Sequence, residues 1–190
     1  MSAVADDGGK RADGPDKEST GEPTDQPIGE RTGEPREFVD GSATVLLSNR
    51  QDVPVDEDAL AGLATTTLRG EGVDTFELSI SLVGVDEMSD LHRNYLGEEG
   101  PTDVLSFALD DVDLDGIRLL GDVVICPAYA AGNNDDLPAE LRLLVVHGVL
   151  HLLGHDHEDD AGRAEMWPKQ ERYSGVAVDP AGVERTGAAR

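Results

Sequence analysis

The pattern of apolar and polar residues predicts a mixed chain of strands and helices between residue 43 and about residue 175. Residues 76–83 alternate apolar and polar side chains, which is typical of a strand with one buried face. Shorter apolar and β-branched runs predict three further strands. The predicted strands are 43–48, 76–83, 104–107 and 119–126, and the predicted helices run from about 54 to 69, 86 to 96, 128 to 131, 138 to 153, and from 159 or 160 to 167.

The longest predicted helix, 138–153, is apolar nearly all round, and Pro138 suits its first turn. A helix without a polar face has to be covered on every side, so we expect it at the centre of the fold. The last helix is expected to stop or kink at Pro168, because a proline inside a helix removes one backbone hydrogen bond.

Composition divides the chain into three parts. Residues 1–40 are rich in Gly, Pro, Asp, Glu, Thr and Ser, and are expected to form a disordered acidic tail because they have too few apolar residues to bury. Residues 41–175 are expected to form a single folded domain. Residues 176–190 are expected to be a second disordered tail.

The chain is strongly acidic, with 40 Asp and Glu against 15 Lys and Arg and a formal charge of −25. This excess argues against simple adhesion to phosphates or anionic lipid. Part of this acidic excess lies at 110–115, which we predict to be a solvated loop, since the spacing of a calcium-binding EF-hand loop is absent.

There is no apolar run of about 18 residues and no signal-peptide pattern, so we expect a cytoplasmic protein without a membrane partner. Cys126, at the apolar end of a strand, is expected to be a small core residue.

Four of the five histidines lie within the eleven residues 147–157. His147 and His151 are four residues apart, so on a helix both can direct an imidazole at one ion. Gly154 can end the helix and let the chain turn back with His157. Three imidazoles on a tetrahedral ion leave the fourth position to water, as in a catalytic zinc site. The sequence therefore predicts one Zn²⁺ held by His147, His151 and His157, although the same ligands also suit nickel, copper or cobalt.

Two other interpretations of these histidines stay open at this point. A single histidine on an apolar helix is most often a core residue with a satisfied hydrogen bond, but here several are clustered. The spacing H-x-x-x-H-x-x-G-x-x-H also matches the metzincin metalloproteases. In those enzymes a glutamate that acts as general base follows the first histidine, and here that position is Gly148. A metallopeptidase is therefore the weaker alternative.

The histidine segment resembles the signature of the YbeY family of bacterial endoribonucleases, H-G-x-L-H-L-x-G-x-D-H. Residues 94–107, ending in PTDVLSF, and residues 121–126, GDVVIC, resemble two further segments of that family. The resemblance extends over roughly 43–175 and implies an α+β, zincin-like domain: a small mixed sheet packed with helices, with the metal-site helix central. It implies His147, His151 and His157 as metal ligands, and His155 as a neighbour at the family's variable position.

The resemblance also implies a function. Members are single-strand-specific, metal-dependent endoribonucleases of rRNA processing, including 3′ end maturation of 16S rRNA, and of ribosome quality control. The implied partners are rRNA, the small ribosomal subunit and a protein of ribosome assembly. An alternative from another class is a non-catalytic, zinc-stabilised binding module in ribosome assembly, which the acidic composition favours.

Two positions depart from the family pattern. Many members have an arginine in the cleft where this chain has Leu96, and a proline is frequent where it has Ala108. A phosphate-binding role for that arginine therefore has to pass to another residue or be absent. The candidates in the sequence are Arg93, Arg118 and Arg142.

The expected mechanism is hydrolysis of an RNA phosphodiester by a metal-bound water. Asp156 is a candidate to orient or deprotonate that water, with capping of the turn as the competing interpretation. Thr102 and Ser106 are candidates to line the cleft. The competing interpretation is that these two residues serve only in the turn and in strand packing.

Overall fold

The computed structural model describes residues 33–177 together with 188–189. Its elements in chain order are strands β1 (Arg36–Asp40) and β2 (Ala43–Asn49), helix α1 (Glu57–Gly70), strand β3 (Phe76–Leu82), helix α2 (Val85–Leu96), strands β4 (Val104–Val112) and β5 (Arg118–Ile125), helices α3 (Pro127–Ala130), α4 (Leu137–Leu152) and α5 (Asp160–Ser174), and the two-residue strand β6 (Ala188–Ala189).

The strands form one mixed sheet in the order β1-β2-β3-β5-β4-β6. β2, β3 and β5 are parallel neighbours, whereas β1 and β4 pair antiparallel with β2 and β5. β6 pairs parallel with β4 over two residues. The prediction of an α+β fold with a small mixed sheet packed with helices is confirmed.

The two faces of the sheet carry different cores. Val123 and Ile125 pack with the apolar residues of α1 and α4 in the larger core, while Val124 and Cys126 pack on the other face with Met88 of α2. Cys126 is a buried free thiol, as expected of a small core residue. α4 is buried along almost its whole length and contacts α1, α5, β4 and β5, so its predicted central position is also confirmed.

The first predicted tail, 1–40, is wrong at its end, because Arg36–Asp40 form β1. This strand is too polar to be recognised from its composition. Its order comes from backbone pairing with β2 and from Arg36, which pairs with Glu57 and Asp58 at the start of α1. The prediction for 1–32 lies outside the described residues.

The predicted acidic loop 110–115 is wrong in its first part, since β4 continues to Val112. The strand pairs with β5 on one edge and exposes Asp111, so it needs no apolar alternation. The turn itself begins at Asp113, whose Oδ1 accepts hydrogen bonds from the backbone nitrogens of Asp115 and Ile117.

α5 does not end at Pro168 but continues to Ser174. Met166, Gln170 and Ser174 lie on its buried face, and this tertiary packing outweighs the cost of the proline. In the second predicted tail, 176–190, Ala188–Ala189 form β6, and the rest of the segment from 178 lies outside the described residues. Among the described helices, none is long and apolar enough to cross a membrane.

Candidate metal centre

The end of α4 and the turn after it bring three histidines to one point. His147 and His151 lie on the last two turns of the helix. Gly154 then adopts φ +88°, a conformation that L side chains rarely adopt, and the backbone nitrogen of His155 donates to the carbonyl oxygen of Leu150. The chain therefore turns back and places His157 beside the two helical histidines.

The three imidazoles are close enough to share an ion. One ring nitrogen from each lies within 4.8 Å of the others, and this is the one such cluster of His, Cys, Asp or Glu in the described part of the chain. His147 Nε2 and His151 Nε2 are 3.1 Å apart. Two nitrogens at about 2.0–2.1 Å from a tetrahedral zinc lie about 3.3–3.4 Å apart, so the spacing fits.

The surroundings of His151 favour its neutral form. Burial, followed by the charge of the nearby His157, lowers the pKa of His151 to about 4. A neutral imidazole has the lone pair that a metal requires. His147 is only 4% exposed, and its Nδ1 lies 2.9 Å from Oε1 of Gln170, which leaves Nε2 directed at His151.

Polar contacts also hold the turn that carries His157. Asp156 Oδ1 accepts hydrogen bonds from the backbone nitrogens of His157 (2.6 Å) and Glu158 (3.0 Å). Arg163 of α5 donates from Nη1 to the carbonyl oxygens of the same two residues. The contacts of Asp156 correspond to the capping interpretation of this residue.

Gly148 and Ser106 show how closely the sheet approaches the metal helix. A Cβ at Gly148 would lie 2.6 Å from Val123 Cγ1 and 3.1 Å from Ser106 Oγ. There is no space here for the glutamate that a metzincin peptidase carries at this position. Ser106 is 3% exposed, and its hydroxyl has no hydrogen-bond partner within the described part of the chain. Thr102 is also buried, and its hydroxyl lies 3.5 Å from Asp103 Oδ1.

His155 lies outside the cluster. Its Nε2 is 3.0 Å from Lys169 Nζ and 3.5 Å from Glu71 Oε2, and its Nδ1 is 3.4 Å from Glu165 Oε1. Glu71 also accepts a hydrogen bond from the Tyr173 hydroxyl. The residue is thus part of a charged group between α1 and α5 (Glu71, His155, Glu165, Lys169 and Tyr173).

The position of the missing cleft arginine is filled by an apolar contact. Leu96 is partly buried against the core on the α2 face of the sheet. Of the three candidate replacements, Arg93 pairs with Asp90, Arg142 donates to the carbonyl oxygen of Ser174, and Arg118 lies at the start of β5. Arg163 and Lys169 of α5 are instead basic side chains that contact the histidine segment, Arg163 at the carbonyl oxygen of His157 and Lys169 at His155 Nε2.

Sequence reasoning missed Gln170 and Arg163 as neighbours of the site. Gln170 is spaced four residues from both Met166 and Ser174, so a helix continued past Pro168 would have put it on a buried face. The expectation that the helix stops at Pro168 concealed that spacing.

The site lies within a region shared with known proteins. Residues 46–175 match the family model described as Endoribonuclease YbeY. A protein of that name from Frankia alni is 45% identical over 150 residues, covering 69% of this chain and 82% of the relative. Another from Saccharopolyspora erythraea is 41% identical, covering 67% and 76%. A solution structure from Thermotoga maritima is 28% identical with a TM-score of 0.46, covering 68% of this chain and 86% of that one.

Proposed function

The chain belongs to the YbeY family of endoribonucleases, and from that membership we propose that it is a single-strand-specific, metal-dependent endoribonuclease of rRNA processing. The proposal includes 3′ end maturation of 16S rRNA and ribosome quality control. The single observation that supports it most is the cluster of His147, His151 and His157 inside the matched region. The nuclease domain in this proposal starts at β1 rather than at residue 41, and ends near residue 175.

We assign one Zn²⁺ to His147, His151 and His157. The donor set of three imidazoles, the short nitrogen–nitrogen spacing and the lowered pKa of His151 support this choice. Zinc held in this way lowers the pKa of a water molecule and offsets charge on a phosphoryl oxygen.

The surrounding residues would preserve this ligand set. Asp156 and Arg163 hold the backbone on both sides of the His157–Glu158 peptide and thereby fix the position of the third imidazole. Burial shelters the ring of His147 from water, and burial lowers the pKa of His151 to about 4, so protons compete weakly for the His151 ligand nitrogen.

Asp156 is the proposed residue that orients or deprotonates the attacking water. Asp156→Asn is a sharp test because an amide oxygen can still cap the turn but cannot take a proton. We expect zinc content to be retained and the rate of RNA cleavage to fall by about 100-fold or more. An Asn variant that cleaves at the wild-type rate would leave Asp156 with the capping role alone.

Thr102 and Ser106 are the further proposed cleft residues. Thr102→Val and Ser106→Ala remove one hydroxyl each while keeping the shape of these buried side chains. A loss of cleavage rate at unchanged zinc content and unfolding temperature would support a role in the reaction. Unchanged cleavage in both variants would restrict these residues to turn and strand packing.

RNA binding by so acidic a chain needs help. We propose that rRNA and the small ribosomal subunit are its partners in the cytoplasm, and that a protein of ribosome assembly, or salt that screens the charge of −25, assists RNA binding. A titration that starts at low salt should therefore show RNA binding that first rises. Binding that only falls as salt increases, as in ordinary counterion release, would contradict screening.

The function is tested by cleavage of an rRNA fragment with zinc-loaded protein. We expect wild-type protein to cleave and His151→Ala to be inactive. Absence of cleavage by both proteins would contradict the proposed nuclease activity.

Gly148 disfavours the peptidase alternative, and a casein digestion should show no products. Ribosome co-sedimentation and processing that both survive loss of the ligands would instead favour the non-catalytic binding module.

A further inference from the structure

We propose that Gln170 is a positioning residue that fixes the tautomer of His147, keeping the proton on Nδ1 and the lone pair on Nε2. The inference rests on the proposed metal site and concerns how this chain prepares it. It assigns to α5 a role in the metal centre that the ligand set alone does not reveal.

The contact itself is short and sheltered. His147 Nδ1 and Gln170 Oε1 are 2.9 Å apart, and the two residues are 4% and 3% exposed. Solvent cannot easily replace the amide as the partner of this ring nitrogen, so whichever atom of Gln170 faces Nδ1 decides where the imidazole proton lies.

Two hydrogen-bond networks are compatible with these positions. If the amide oxygen faces the ring, His147 Nδ1–H donates to it, and Nε2 has a lone pair that accepts from His151 Nε2–H at 3.1 Å. If the amide nitrogen faces the ring, the proton moves to His147 Nε2. Only the first network leaves a lone pair for the metal on His147 Nε2 without a change of tautomer. In the structure the amide oxygen of Gln170 faces the ring, as this network requires.

Gln170 is itself held in place from several sides. The Ser174 hydroxyl donates to the backbone carbonyl oxygen of Gln170 at 2.6 Å. Arg142 of α4 donates to the backbone carbonyl oxygen of Ser174 at 3.1 Å. One turn before Gln170, Met166 packs against Val146 and Leu150 of α4. α5 therefore contacts α4 on both sides of Gln170, and these contacts hold the side-chain amide oxygen of Gln170 beside His147.

This arrangement has a measurable consequence for metal binding. A partner on the second ring nitrogen orients a histidine ligand and increases its basicity, and loss of such a partner typically lowers metal affinity about 10–100-fold. We expect Gln170→Leu to lower the affinity for Zn²⁺ within this range, because the leucine fills a similar volume without accepting the Nδ1 proton. Gln170→Glu keeps an acceptor and should restore most of the affinity.

The experiment compares full-length wild type, Gln170→Leu, Gln170→Glu and a control, Met166→Leu. The control changes a fully buried residue of the same helix and interface that packs with Val146 and Leu150 and has no atom that can hydrogen-bond as an amide does. Long-range ¹H–¹⁵N NMR of the metal-free proteins reports the tautomer, and titration with Zn²⁺ against a chelator reports affinity. We expect His147 to be protonated at Nδ1 in the wild type, Gln170→Glu and Met166→Leu, and to show mixed tautomers in Gln170→Leu.

Two results would overturn the inference. One is a wild-type His147 protonated at Nε2 in the metal-free protein. The other is a folded Gln170→Leu whose tautomer and Zn²⁺ affinity equal those of Met166→Leu; if Gln170→Leu does not fold, a Gln170→Glu protein that lacks the Nδ1–H tautomer has the same meaning. Because neither readout uses RNA, failure here is distinct from failure of the proposed nuclease activity.

Discussion

His155 and His157 are two residues apart in one turn, yet their surroundings differ completely. His157 faces two other imidazoles, with ring centroids 5.1 Å from each. Both ring nitrogens of His155 face charged side chains instead, Lys169 and Glu71 at Nε2 and Glu165 at Nδ1. The residue type is the same, so the neighbours decide which histidine can hold a metal.

The two histidines also lie in different electrostatic surroundings. In the cluster of His147, His151 and His157, burial lowers the pKa of His151 and so favours its neutral ring with an available lone pair. In the charged group around His155, burial raises the pKa of the Glu71 carboxyl, but the hydrogen bonds from Lys169, Tyr173 and His155 and the charge of Lys169 together outweigh burial and lower it. The first arrangement suits a cation that arrives from outside, whereas the second already contains its own cation.

Metal binding should show the largest difference between the two regions. At free zinc about 1,000-fold above the dissociation constant, the bound ion is expected to stabilise the wild-type protein by about 4 kcal/mol. Thermal unfolding with and without zinc should show this increase in wild type and in His155→Gln, and little of it in His151→Ala. An equal zinc-dependent increase in all three proteins would place the metal elsewhere.

The metal-free protein should lose stability in acid because of His151. Its pKa is about 4 in the folded protein and about 6.5 in the unfolded chain, so below pH 6.5 the unfolded chain takes up the proton first. Above pH 6.5, His151 is neutral in both states and does not lower the free energy of unfolding. As the pH falls toward 4, the free energy of unfolding decreases by at most about 3 kcal/mol.

Urea unfolding of chelator-treated protein between pH 4 and 7 measures this effect. His151→Gln should show a smaller loss of stability over the same range, because glutamine does not titrate. A wild-type protein whose unfolding free energy increases on acidification would contradict the expected sign.

The close contact between α4 and the sheet should make Gly148→Ala destabilising. Alanine gains about 1 kcal/mol of helix propensity over glycine, but its Cβ would lie 2.6 Å from Val123 Cγ1. Overpacking of this kind costs about 1–3 kcal/mol, so we expect a net loss of about 1 kcal/mol.

Gly62→Ala is the matched control, since Gly62 lies in α1 with nothing within 4 Å of a Cβ. It should increase stability by up to about 1 kcal/mol. If chemical denaturation finds both alanine variants more stable than wild type, the tight approach of the sheet to the metal helix is not a constraint.

His155→Gln should have the smallest effect. Its partner Glu165 is largely exposed, and such a pair contributes about 0–1 kcal/mol, while Glu71 keeps its bonds to Lys169 and Tyr173 without the imidazole. We expect a small change in unfolding temperature and no change in zinc content. Loss of zinc from this variant would make the charged group part of the metal site and remove the distinction between the two histidines.

Local patterns in the sequence were sufficient to predict the histidine cluster. The i, i+4 spacing of His147 and His151 and the turn at Gly154 are short-range features, and the structure brings the three side chains together as that spacing suggests. The buried central helix follows equally from its apolar composition. Both features are set by residues close to one another in the chain.

What could not be predicted depends on distant residues. β1 is a polar segment that is ordered by pairing with β2, and α5 continues past Pro168 because its buried face packs on α4. Gln170 meets His147 across 23 residues, and no local pattern signals such a contact. The structure was needed to find the residues that support the ligands.

The most direct test is zinc content and rRNA cleavage measured on the same preparations of wild type, His157→Ala and His155→Gln. We expect about one zinc per chain and cleavage in wild type and His155→Gln, and loss of both in His157→Ala. A His157→Ala protein that keeps its zinc and cleaves RNA at the wild-type rate would contradict this expectation.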